Sequence, residues 1–433
     1  FMLSLQIIIF VLLSFWIVNN SFLISFEIGD LVYSLSSVTI LIFLFVFLLI
    51  IFIVQTTYFR TKFQFLKFKL KNNINKKERG FNAFVNSMIA LANKDFKTAI
   101  KNSYSVDKYL GSKSSINLLL QSEIYKVEKK NKNLNLVYEE MCKNEKTQNL
   151  GYRGLMEQYL RSEDYHHAFI YGEKLFNNNP YIEKIYDTLV SIISKTNNWQ
   201  QLVVLTDTAY QKKIINKEFF SLNKSIAYYE IAKIKQLSEE NEAIKLIEKS
   251  LELRKNFPPY VTLYIDLLIQ NKKYSFAKKF IKKVWSSAPY SNYKESIRRL
   301  SLNLNMTYKE LVKFITDSNP NNYESKILLA EALIEDKDWI EAKNQLKNYL
   351  DHQPKKEICQ LMSKIEEGDS GDPQKVNAWL LRGRNGALSN LWICKITKNA
   401  QKDWSSLSNS GYFNSLEWRQ PSMINQIELS DNN

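Results

Sequence analysis

A short signature recurs along the 433-residue chain and restricts the folds open to it. An aromatic residue is followed three positions later by a small one, and twelve positions after that by proline. Full copies are Tyr165, Ala168 and Pro180, then Tyr274, Ala277 and Pro289, then Trp339, Ala342 and Pro354. Partial copies are Phe96 with Ala99, Trp199 with Leu202, and Tyr308 with Leu311, while Ala243 fills a further slot ahead of Pro258 and Pro259. The second positions fall in step: 168 to 202, 243 to 277 and 277 to 311 are each 34 residues, and 311 to 342 is 31. The interval 202 to 243 is 41, an insertion, and the 69 residues from 99 to 168 leave room for a degenerate unit near Leu134 to Tyr138. Between these marks, apolar residues recur at spacings of three and four, the helical period. Self-similarity at one period is the mark of a stacked array, whose units bury their apolar faces only against each other.

The unit resembles the tetratricopeptide repeat, 34 residues long. In that pattern the small residue lets two helices approach closely and the proline ends the second. Leu329 and Ala330 fall where the first helix packs on its neighbour, and Tyr159 takes the usual aromatic position. The expectation is an all-α solenoid of about seven or eight helical hairpins over residues 80–365, with a concave groove. Phe96, Ala99, Tyr165, Ala168, Tyr274, Ala277, Trp339 and Ala342 are its packing positions. The resemblance implies a groove that binds protein segments and an architecture without catalysis. Placed on the pattern, Arg153, Glu157 and Arg161 line one inner face, Thr262, Asp266 and Gln270 another, and Glu331 and Glu335 a third. The groove would be mixed in charge near its start and more acidic distally. The same residues also suit an ordinary solvated helix face.

Ahead of the repeats, residues 1–26 and 31–59 carry no charge, and 40–54 read ILIFLFVFLLIIFIV. A bilayer core of about 30 Å needs about 20 apolar helical residues, so spans are expected at 2–18 and 37–58 with a short external loop between. The first stretch lacks the basic start and small-x-small site of a cleavable signal, which favours a retained anchor. No Lys or Arg occurs in 1–59, whereas Arg60, Lys62, Lys67, Lys69, Lys71, Lys76, Lys77 and Arg79 follow at once, opposed by Glu78 alone. Basic residues beside a span stay cytoplasmic, so the repeats are expected in the cytosol of a cell whose cytoplasmic (inner) membrane holds the hairpin. The basic stretch 60–79 either binds anionic lipid head groups or only sets topology.

Residues 366–378, starting EEGDSGDP, read as a linker, and residues 379–433 as a small C-terminal segment holding Trp379, Trp392, Trp404 and Trp418. Rings this large must bury their area, so the segment is expected to cap the solenoid end. Binding of a planar ligand is the alternative.

The two apolar stretches, the basic segment and the degenerate repeats together resemble the HemY-type family of bacterial haem biosynthesis. The stretch RGFNAFVNSMIALANKDFKTAIK at 79–101 is similar to that family's first repeat. Trp392-Ile-Cys394, Trp404, Gly411-Tyr-Phe413 and Leu416-Glu-Trp418-Arg-Gln-Pro421 are similar to the C-terminal segment of alphaproteobacterial members. The resemblance implies a membrane scaffold that organises or regulates protoporphyrin and haem enzymes, with membrane-associated proteins as partners. Envelope-assembly adaptors that recruit a regulated enzyme or a protease are a second class with this build. Some relatives carry paired cysteines in the tail; here Cys394 stands with Thr397, Leu407 and Ser410, and one thiol cannot close a tetrahedral metal site.

No P-loop, dinucleotide fingerprint, H-E-x-x-H or nucleophile-elbow motif occurs. The three cysteines, Cys142, Cys359 and Cys394, are too few and too scattered for a disulfide framework. No catalytic residue, metal site or cofactor is expected. Adjacent His166 and His167 point about 100° apart on a helix, and either alone could ligate haem iron. The formal net charge is +15, but 49 of the 59 basic residues are Lys. Nucleic-acid recognition favours Arg, and none is expected.

Overall fold

The computed structural model describes residues 2–421 except Ser21, Asp351, His352 and Asn385. The expected C-terminal segment beyond 421 lies outside the described residues. The chain divides into two units, Phe1–Thr147 and Gln148–Asn433.

The first unit begins with α1 (Met2–Asn19) and a hairpin of β1 (Leu23–Ile28) and β2 (Leu31–Ser36), closed by Gly29 at φ 66°. The expected external loop is thus largely strand. Next comes α2 (Ser37–Ala92), 56 residues long, capped where Ser36 Oγ accepts the Thr39 N–H. Among the described residues, α2 is the one helix long and apolar enough to cross a membrane. At 18 residues, α1 extends about 27 Å. Nothing breaks α2 after its apolar part, because 60–79 contains no Pro or Gly and Lys is a good helix former. The basic stretch is therefore a fully exposed length of the same helix. From Gly80 onward α2 becomes the first helix of a repeat. Ala83, Phe84, Met88 and Leu91 pack with Val106 of α3 (Phe96–Leu110) and with Leu120 and Ile124 of α4 (Ser115–Val127). The degenerate unit is completed by α5 (Asn131–Cys142), with Leu134 and Tyr138 buried.

The second unit continues as helical hairpins: α6 (Gln148–Arg161) with α7 (Tyr165–Asn178), α8 (Ile185–Lys195) with α9 (Trp199–Gln211), and α10 (Lys217–Lys235) with α11 (Glu240–Leu253). Then come α12 (Pro258–Gln270) with α13 (Tyr274–Ser287), α14 (Lys294–Asn303) with α15 (Tyr308–Thr316), α16 (Tyr323–Glu335) with α17 (Trp339–Leu346), and α18 (Lys356–Asp369) with α19 (Pro373–Arg384). The signature explains their geometry. Its aromatic residue opens the second helix, and its second residue is the fourth of that helix, with no exposed area at Ala99, Ala168, Leu202, Ala243, Ala277, Leu311 or Ala342. The 41-residue interval is absorbed in α10, which has 19 residues where α12 and α16 have 13. Pro258 does not end a helix; it takes the first turn of α12, where its missing N–H has no intrahelical partner to lose.

Two boundaries differ from expectation. Most of 366–378 is helix, because α18 runs to Asp369 and α19 starts at Pro373. Gly368 belongs to α18, where an added Cβ would lie 2.4 Å from the Trp339 ring. Only Gly371, at φ 63°, makes a turn there. Trp379 sits on α19 against the core of the last hairpins, so the C-terminal segment proper starts after Arg384. That segment is a small antiparallel sheet in the order β4 (Ala400–Gln401), β3 (Leu391–Cys394), β5 (Leu416–Arg419).

Two substitutions test the packing. Ala277→Leu overfills a sealed helix crossing and should destabilise by about 1–3 kcal/mol. Phe276→Ala, at an exposed neighbour, should stay within about 0.5 kcal/mol. Urea unfolding of both variants checks the pair.

Candidate functional site

The first helices of successive hairpins present one common face, and α14 ties three of them together. Asp266 on α12 accepts the Ser296 hydroxyl at 2.8 Å and Arg299 at 2.7 Å. Lys294 meets Glu331 on α16 at 3.1 Å, and Arg298 grips Glu335 with two nitrogens at 2.7 and 2.5 Å. The Arg298 guanidinium, held by Glu335, has its pKa raised. The expectation of a distally acidic groove is therefore corrected, because Asp266, Glu331 and Glu335 are each met by a base from α14. Partly exposed pairs like these contribute about 0–1 kcal/mol each. Their larger effect is to neutralise the face and fix the register of α14.

The C-terminal sheet lies on this face, not on the solenoid end, which corrects the expected cap. Alternation along β3 turns Trp392 and Cys394 to one side, and Trp392 pairs across the sheet with Trp418 of β5, their rings 5.3 Å apart. Trp392 meets Phe257 edge-on at 5.8 Å, and Trp404 meets Tyr229 at 5.4 Å and Phe257 at 5.1 Å. Trp418 meets Tyr290 at 5.1 Å, and Phe413 reaches Trp199 at 6.5 Å. The sheet is thus keyed into α9–α14 by aromatic contacts, and Trp392, Cys394, Trp404 and Leu416 belong to the same buried core as α10–α16. The resulting aromatic cluster is formed by residues far apart in sequence, and no motif announces it.

Two clefts remain between sheet and helices, sharing Asn292 and Asp403. One, of about 350 Å³, is lined by Tyr229, Lys233, Thr262, Asp266, Tyr290 and Trp404 among others. The other, of about 430 Å³, holds Lys294, Tyr323, Glu324, Lys355, Glu357, Lys402 and Trp418. Lys355 stands 4.3 Å over the Tyr323 ring. Burial raises the Glu357 carboxyl above its usual range; the Ser389 hydroxyl at 2.7 Å opposes this, and Glu324 and Glu331 add to it. The clefts thus combine aromatic faces with both signs of charge, which suits a polar segment of protein.

Of the sequence-derived groove residues, Thr262 and Asp266 line the first cleft, and Gln270 is exposed at the end of α12. Arg153, Glu157 and Arg161 stand on α6, where Arg153 pairs with Glu157 at 3.0 Å. His167 is held by Asp164 at 2.7 Å and stacks on Tyr159, with His166 edge-on to it. His352 lies outside the described residues. Among the described residues no three His, Cys, Asp or Glu side chains are placed to hold a metal ion. In the tail, Cys394 Sγ and Ser415 Oγ lie 3.3 Å apart in hydrogen-bond contact, and the Thr397 and Ser410 hydroxyls lie 3.4 Å apart. Burial works to raise the Cys394 thiol, but hydrogen bonds involving Ser415, Thr397 and the local backbone bring it down to about 6.

Trp404→Ala should cost about 3–5 kcal/mol and release the sheet, read as a lowered Tm and as proteolysis after Arg384. A second outcome concerns pH. Since Glu357 keeps its proton to higher pH when folded, stability is full below the ordinary carboxylate range and declines as pH rises through it towards the folded pKa. Glu357→Gln should remove that decline, raising Tm relative to the parent at pH 8 and not at pH 4.

No family model and no curated protein matches the chain. Among solved structures it is similar to Naa15/Naa10 bound to HypK-THB, at 13% identity over 70% of this chain and 58% of that one, with a TM-score of 0.39. It is also similar to a tetratricopeptide repeat protein from Parabacteroides merdae, at 13% identity over 57% and 99% of the two chains and a TM-score of 0.26. The TPR2AB domain of yeast Sti1 in complex with pHSP90 matches at 10% identity over 71% and 99%, with a TM-score of 0.30. The chain thus spans 58% of the length of the first of these. Scores this low add nothing to the hairpin geometry, which carries the fold assignment by itself.

Proposed function

We propose that this chain is a membrane-anchored tetratricopeptide scaffold whose cytosolic inner face holds a segment of a partner protein, without catalysis of its own. The observation that carries the reading is the pair of clefts between the C-terminal sheet and α10–α18, lined by aromatic rings and by both signs of charge. Arg153, Glu157 and Arg161 extend this face on α6, and Gln270, Glu331 and Glu335 on α12 and α16 complete it.

α1 and the apolar start of α2 form the two-span anchor in a bacterial cytoplasmic membrane, and the basic residues after Phe59 keep the repeats inside. Arg60, Lys62 and Lys67 lie within about 12 Å of Phe59 along the helix. That is close to one screening length, near enough to attract anionic lipid head groups at about 1 kcal/mol each. The resemblance of residues 79–101 and 392–421 to the HemY-type family implies partners from protoporphyrin and haem synthesis. Against the envelope-adaptor alternative, Thr397 and Ser410 stand in the turns near Cys394, the last residue of β3, where an adaptor's tail would carry further metal-binding cysteines.

Crosslinking in cells, detergent purification and identification of the attached proteins test the reading. Recovery of ferrochelatase or other porphyrin enzymes, lost in an Arg153→Glu/Arg161→Glu variant of unchanged Tm, is the expected result. Recovery of envelope-synthesis enzymes or a membrane protease would favour the adaptor reading. A Soret band in the purified protein would make it a direct haem binder.

A further inference from the structure

Between its apolar start and its first repeat contact at Gly80, α2 runs for five turns with every residue from 60 to 79 exposed. This length is not uniformly polar. Lys77 closes a run of apolar residues, Phe59, Phe63, Leu66, Leu70 and Ile74, that follow one another at spacings of 4, 3, 4 and 4. At 100° per residue they keep within an arc of about 80°, so they form one apolar stripe. Phe63 is 68% exposed and Leu70 62%. Lys62, Lys69 and Lys76 run down one flank of the stripe at seven-residue intervals, and Arg60, Lys67 and Lys71 run down the other. Phe65 and Phe68 fall on the opposite side and are not part of it.

An apolar stripe between two charged rows is the pattern of a helix that pairs with another helix. From it we propose that this length of α2 docks an acidic amphipathic helix of a second membrane-associated protein, forming a two-helix coiled coil just outside the bilayer. Charge decides the occupant. In a parallel pair the rows beside the seam face the rows of the partner helix. A second copy of this chain would set Lys62 and Lys69 against a row holding Lys67 and Lys71, which like-charge repulsion disfavours. Lipid head groups reach only the start of the rows, at Arg60, Lys62 and Lys67. Lys69 stands ten residues beyond Phe59, roughly 15 Å along an upright helix, and the screening length at physiological salt is about 8 Å. A helix with Glu or Asp beside its own apolar seam meets both rows and covers the stripe. This site is separate from the clefts of the repeat domain and does not depend on what they bind.

A photoreactive residue placed at Leu70, on the stripe, or at Asn72, on the far side, tests this in the full-length protein in its native membrane. The expected result is an adduct from position 70, at least tenfold stronger than from 72. Mass spectrometry should place the crosslinked peptide in an acidic amphipathic helix of a membrane-associated protein. That adduct should disappear in Lys62→Glu/Lys69→Glu/Lys76→Glu and persist when the same three are changed to Arg. An adduct of two copies of this chain, an adduct with lipid alone, or equal labelling from both positions would overturn the proposal.

Discussion

Everything in the repeat region depends on how closely two helices can approach at one point. In seven of the second helices the fourth residue has no exposed area, and at Ala99, Ala168, Ala243, Ala277 and Ala342 its side chain is a single methyl. A larger group there would part the helices, and the rings at the start of the same helices would lose the wall they pack on. The approach also needs a turn that reverses the chain within a few residues. In this chain a left-handed residue stands two positions before the aromatic: Lys94, Glu163, Asn197, Lys272 and Lys337, at φ 61°, 59°, 53°, 57° and 61°. None is glycine, so each costs roughly 1 kcal/mol of backbone strain, which the sealed crossing next to it offsets.

A solenoid leaves its inner face open, and here the chain itself covers part of it. Trp392, Trp404 and Trp418 pack on Tyr229 and Tyr260 of first helices and on Phe257 and Tyr290 in the turns ahead of α12 and α14, so sheet and repeats share a core. The sheet is too small to hold its own fold, since strands of two to four residues bury little. It is stable because the helices supply the other half of its core. The space left beside the sheet is what it does not fill, the two clefts between it and the helices.

The hairpins were legible because the second-helix position recurs at a fixed interval, and the degenerate unit at Leu134 and Tyr138 could be placed by spacing alone. The turns were not, because Lys and Glu at left-handed positions look like any surface residue. Gly368 read as a linker residue for the complementary reason: its glycine is required by Trp339, 29 positions earlier, and proximity in space leaves no local mark. The site was legible only in part. Asp266 and Glu331 were placed on the inner face, but their bases come from α14, about one repeat away, and pairing across repeats has no motif. The docking of the tail onto α10–α14 followed from no sequence pattern, since aromatic rings state that they must be buried and not where.

The net charge of +15 gains meaning only after the chain's own contacts are removed from it. Lys278 and Lys282 lie 4.3 and 3.9 Å over the Phe314 ring, so two of the lysines of α13 serve as packing for a neighbouring hairpin. Arg254 stacks 3.4 Å over Phe257, Arg382 lies over Trp379, and Arg298 and Arg299 are taken up by Glu335 and Asp266. Arginine, whose planar group both stacks and forks, is used where direction matters, and lysine where a long stem covers apolar surface. Between Arg60 and Arg79 Lys62 lies 5.9 Å over the Tyr58 ring, and the other bases face out with Glu78 as the one acid among them. Exposed positive charge with one acid beside it, laid along an exposed apolar stripe, is where this sequence carries information about something other than itself.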